Sequence, residues 1–98
     1  MMLSSPKAEL SPWPLKGNVT FYEAAKIERE ISQAVQRGVV CFDWQAVEKV
    51  DSAAVALALQ LQRIAAANHV ELSHLHLPQA FLDLADLYGV SDLVTSVQ

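Results

Sequence analysis

The stretch that decides the fold reads Val39-Val-Cys-Phe-Asp43, then a short polar link, then Val50-Asp-Ser-Ala-Ala-Val-Ala-Leu57. Val39 to Phe42 is apolar at every position, as in a strand covered on both faces. Asp43 to Asp51 reads as a loop with room for a helical turn. From Ser52 to about Ala67 the chain is rich in Ala, Leu and Gln and predicts the strongest helix of the sequence. Asp51 and Ser52 stand at its start, where side-chain oxygens accept free backbone amides.

Upstream, Pro6, Pro12, Pro14 and Gly17 punctuate the chain, so any strand there is short or at a sheet edge. Leu10 to Lys16 is the candidate. Thr20-Phe-Tyr-Glu23 has the spacing of a capping box. Phe21, Ala24, Ile27, Ile31, Ala34 and Val35 then recur at helical spacing, up to a stop at Gly38. Downstream, Asn68 and His69 break the second helix, and Val70 to Leu77 reads as a strand. Pro78 suits a first helical position, and Phe81, Leu82, Leu84, Ala85 and Tyr88 predict a helix ending at Gly89. Val90 to Val97 is a tail with alternating apolar residues. Strand, helix, strand, helix, strand, helix and tail make an α/β chain with right-handed crossovers and a mixed or parallel sheet.

Composition bounds the function. The chain has 98 residues, 52% hydrophobic and 18% charged, and its 7 Lys+Arg against 11 Asp+Glu give a net charge of −4. An acidic chain lacks the basic face that nucleic acid requires. So much apolar surface argues against disorder. No apolar run approaches the roughly 20 residues that cross a bilayer, and the start has no signal-peptide pattern. One cysteine, Cys41, excludes an internal disulfide framework and suits a reducing compartment. The expectation is a small, soluble, cytosolic protein with one domain over 1–98, residues 1–9 forming a flexible N-terminal segment.

Two chemistries fit Asp51-Ser52. The first is helix capping. The second is phosphate: a helix start carries partial positive charge and unpaired amides, and a serine there can act as a phosphorylation switch. On the same helix Ala53, Leu57, Leu61 and Ile64 form the stripe expected to face the core. Val55 and Leu59 fall nearly opposite, beside Gln62 and Ala66. Either a neighbouring helix covers them, or they form a partner-binding patch rimmed by Gln62 and Arg63. His74 and His76, two apart on a strand, would share a face as solvated histidines, with no third metal ligand placed near them. Cys41 reads as an inert core residue, and Asp43 as a turn or cap residue. Trp13 and Trp44 read as filling the core edge. No nucleophile, metal set, cofactor motif or phosphate-cradling glycine loop emerges, so no enzyme is expected.

The segments Val39-Val-Cys-Phe-Asp43 and Val50-Asp-Ser-Ala-Ala-Val-Ala-Leu-Ala-Leu59 resemble the STAS family, found in bacterial anti-sigma-factor antagonists and in modules attached to transporters. Gly17 and Phe81-Leu-Asp-Leu-Ala-Asp-Leu-Tyr-Gly-Val90 extend the likeness. It is most similar to the MlaB-like branch, the small STAS subunit of the bacterial lipid-transport ABC system that maintains outer-membrane asymmetry. The resemblance implies an α/β STAS fold, a mixed sheet of about four strands with helices packed against it. It also implies a non-enzymatic binding role, with no cofactor and no metal. In the transporter branch the partner is the cytoplasmic ATPase subunit, held in a complex with the permease. The chain would then sit at the inner membrane without inserting. In the antagonist branch the partner is an anti-sigma kinase, and Ser52 is the phosphoacceptor. In the transporter reading Asp51 and Ser52 form the docking corner, with Ala54, Val55, Leu59 and Gln62 along the contact. Ala54 stands where the family has glycine, and the proline-broken start is short for the family's N-terminal hairpin.

Overall fold

Pro12 and Pro14 favour extended backbone, and Trp13–Val19 forms β1 in the computed structural model, which describes residues 12–94. The strand lies further along than the expected Leu10 to Lys16. Leu10, segment 1–9 and Val97 lie outside the described residues. Leu15 and Val19 are buried, while Pro14, Lys16 and Asn18 are exposed.

β2 spans Cys41–Val50, so the expected loop from Asp43 is strand instead. β1 and β2 run parallel from Trp13↔Phe42 to Val19↔Val50, and at two places β2 carries an extra residue. These bulges break the alternation of β2, leaving Gln45, Ala46, Glu48 and Lys49 exposed. At the second bulge Gly17 takes a φ of 75°, which L side chains rarely adopt. β3 covers Ser73–Leu75, shorter than the expected Val70 to Leu77, and pairs parallel with β2 through Phe42↔His74.

The described sheet is thus three strands in the order β1-β2-β3, all parallel. Parallel is one of the two arrangements that the alternation of elements predicts, and the described strands number three where the resemblance implies about four. Strands added in chain order through right-handed crossovers place the connecting helices on one face. The first is α1, Ala24–Gln36, which buries Ile31, Ala34 and Val35. The second is α2, Ser52–Ala67, which packs against α1. Two shorter helices follow, α3 at Gln79–Leu87 and α4 at Ser91–Val94, and both pack on α2. Pro78 is the N-cap of α3 with extended backbone, not its first helical residue.

The first three helices end alike. Val39, Val70 and Val90 each donate to a carbonyl five residues back, all at 2.9 Å. The residue just before each takes positive φ: Gly38, His69 and Gly89. Side chains on the helix-covered face build the core, with Phe42, Trp44, Leu61 and Phe81 fully buried. Trp44 and Phe81 lie 5.1 Å apart between ring centres.

Candidate functional site

In a parallel sheet, every strand-to-helix turn emerges at the carboxyl edge, where α/β proteins usually bind their ligands. Here that edge carries Thr20 to Glu23, Asp51 with Ser52, and His76 to Pro78. Asp51 organises it. Its backbone is extended, its Oδ1 accepts the Ala53 amide at 2.8 Å, and so it caps α2. Its Oδ2 accepts the Phe21 amide at 3.0 Å, across thirty positions of sequence. One carboxylate therefore joins two of the three turns.

The expected capping box does not form. Glu23 is the N-cap of α1 without a side-chain cap bond, and its amide donates to the Thr20 carbonyl at 3.0 Å. The chain makes a turn at 20–23, and the helix begins after it. Phe21, expected on the buried stripe of α1, is instead 75% exposed, and Tyr22 is 90% exposed. The two rings meet edge to face at 5.8 Å. Sequence reasoning missed this pair, although adjacent aromatics on a helix cannot both face one core.

Ser52 is the first residue of α2 and is exposed. Its hydroxyl stands at the positive end of a sixteen-residue helix, a setting that favours an anionic group. Along α2 the structure divides the remaining candidates. Ala54 and Val55 are buried, at 0% and 3% exposure. Both belong to the core cluster, so of the two readings open for Val55 the covered one holds, and neither Ala54 nor Val55 lies along an exposed contact as expected. Leu59 and Gln62 are half-buried, while Ala56, Arg63 and Ala66 are exposed. The accessible stripe thus runs Ser52, Ala56, Leu59, Arg63. Beside it a shallow groove of about 280 Å³ between α1 and α2 is lined by Ala24, Glu28, Ala53, Ala56, Gln60 and Arg63, with Leu57 beneath. A larger groove of about 460 Å³ lies elsewhere, beneath β1 at Trp13, Leu15 and Ile27.

The histidines separate. His74 is buried and its Nδ1 accepts the Trp44 Nε1 hydrogen at 3.0 Å. Burial pushes its pKa down to about 4. His76 follows the strand with a φ of 57°, is exposed, and reaches Asp43 at 3.0 Å through Nδ1. They do not share a face, contrary to expectation. Asp43 does serve the local backbone: its Oδ1 also accepts the Gln45 amide at 2.9 Å. That bond first, and the His76 contact second, hold its carboxyl below the usual range. Cys41, expected in the core, is half-buried at the start of β2. Among the described residues, no three His, Cys, Asp or Glu side chains gather as metal ligands, and no helix is long and apolar enough to cross a membrane.

A family model described as "Mlab, STAS domain" matches residues 14–95. Among solved structures, the chain is similar to the anti-sigma factor antagonist SpoIIAA in its unphosphorylated form. The TM-score is 0.65 at 18% identity, covering 91% of this chain and 84% of that one. No curated protein matches the chain at significant similarity.

Proposed function

We propose that this chain, which belongs to the STAS family in its MlaB-like branch, is a non-enzymatic accessory subunit of a phospholipid-transport ABC system that maintains outer-membrane lipid asymmetry. Residues 1–98 act as a single STAS domain. The domain docks on the cytoplasmic ATPase subunit, within a complex that includes the permease, and so stays peripheral to the inner membrane.

The observation that carries this reading is the exposed Ser52 at the capped start of α2, on the carboxyl edge of the sheet. Docking there uses Ser52, Ala56, Leu59 and Arg63, with Gln62 at the flank. Ala54 and Val55 support the stripe from beneath, and Asp51 holds its first turn through the Ala53 amide. The ATPase performs the hydrolysis, and this subunit supports its assembly.

The test is co-purification of the tagged chain with the ATPase, the permease and the lipid-binding component of such a system. Recovery of a stoichiometric ATPase is the expected result. A chain that never recovers the ATPase from cells making both contradicts it.

A second reading is favoured by the likeness to an anti-sigma factor antagonist whose structure was solved unphosphorylated. In it the partner is an anti-sigma kinase and Ser52 accepts the phosphate. Incubation with a cognate kinase and ATP, followed by intact mass, separates the two readings. A stoichiometric phosphate on Ser52 favours the switch.

A further inference from the structure

Phe21 and Tyr22 stand out on the described surface as two adjacent aromatic side chains left in water, beside the site proposed above. A flexible loop would make this unremarkable. Here the turn is fastened at two points: the Phe21 amide to Asp51 Oδ2, and the Glu23 amide to the Thr20 carbonyl. The rings also brace each other edge to face. Aromatic side chains held in one place lose little further entropy on binding, which is why such residues dominate interface energetics.

Resting on the ATPase-docking reading, we propose that Phe21 and Tyr22 are the apolar anchor of the docking surface, inserting into an apolar pocket of the partner protein. Asp51 is a positioning residue, not a contact: its two carboxylate oxygens are engaged by the Ala53 and Phe21 amides, and it sets the anchor in register with Ser52.

The charge around the turn selects the occupant. The segment from Thr20 to Glu23 carries one acid and no lysine or arginine, it is tied to a second acid at Asp51, and the chain has a net charge of −4. Surface attraction to anionic headgroups comes from lysine and arginine; the turn has neither, and Lys49, which lines a groove with Thr20, shares that groove with the acid Glu48. A protein pocket with a basic rim fits both the rings and the acids.

The experiment titrates the purified ATPase subunit of the transport system with the intact chain, with Phe21→Ser/Tyr22→Ser, with Asp51→Asn and with Ser52→Glu. The aromatic double variant should bind at least about tenfold more weakly while its circular dichroism and thermal unfolding stay those of the parent. Asp51→Asn should lose less, since one oxygen acceptor remains. If the parent binds, Ser52→Glu weakens it and the aromatic double variant binds at parent strength, the anchor is wrong and the docking reading stands. A parent that does not bind overturns both. Flotation with vesicles of phosphatidylethanolamine and phosphatidylglycerol is the companion measurement. Vesicle binding that disappears in the aromatic double variant overturns the protein pocket in favour of a lipid surface.

Discussion

Asp51 holds Phe21: the amide that opens the turn after β1 donates to the carboxylate that caps α2, at 3.0 Å. The bond couples two strand-to-helix turns that are far apart in sequence and adjacent on the carboxyl edge of the sheet. It makes the start of α2 a shared fixture of the surface, not a local cap.

Asp51→Ala removes both acceptors. The helix cap contributes about 1–2 kcal/mol, while the Phe21 amide, being exposed, regains water at little further cost. The expected result is a loss of roughly 1–2 kcal/mol in urea unfolding at unchanged m-value. A variant as stable as the parent contradicts the cap.

His74 makes stability depend on pH. Protonation at Nδ1 would set a second hydrogen against the Trp44 donor in a buried site. The folded pKa is about 4, against about 6.5 in the unfolded chain. Above pH 6.5 both states hold the neutral ring, and the contribution is fully present. Between about 6.5 and 4 the unfolded chain takes up a proton that the folded one refuses, so stability falls by on the order of 3 kcal/mol. Unfolding free energies of the parent and of His74→Gln, compared across this range, isolate the effect. The variant should show the shallower slope, and parallel profiles would contradict the assignment.

At the end of α2, His69 adopts a φ of 60° where α1 and α3 have Gly38 and Gly89. A non-glycine residue is strained there by roughly 1 kcal/mol. His69→Gly should therefore raise stability by a few tenths to about 1 kcal/mol, less what glycine's freedom in the unfolded chain costs. Gly89→Ala should lower it by about 1 kcal/mol through strain alone, since open space surrounds its added methyl.

Val55 and Ala56 are neighbours in sequence with opposite environments. Val55→Ala, in the core, should cost roughly 2 kcal/mol. Ala56→Arg, on the exposed stripe, should change stability by less than about 0.5 kcal/mol. Thermal unfolding of the pair decides whether Val55 is core and Ala56 surface; equal losses would contradict that division.

The alternation of strands and helices, the Asp51-Ser52 helix start and the STAS resemblance were legible because they rest on local patterns: apolar runs, helix formers and glycine stops. The rest depended on tertiary bonds. Bulges hid the second half of β2 behind exposed pairs such as Glu48 and Lys49. The spacing of Thr20 and Glu23 reads as a helix start, whereas the Glu23 amide closes a turn on the Thr20 carbonyl and the helix begins after it. Val55 reads as misplaced on a wheel with one buried side, whereas three other helices pack on α2 and Val55 belongs to the core. His74 and His76 part because the left-handed His76 ends β3 after three residues.

The central claim is that the start of α2 is the docking point, and the most direct measurement is the affinity of the purified ATPase subunit for the parent chain and for Ser52→Glu and Ala56→Arg. The account predicts saturable binding of the parent, weakened at least about tenfold by each substitution, with all three chains equally folded. Binding of both variants at parent strength would contradict it.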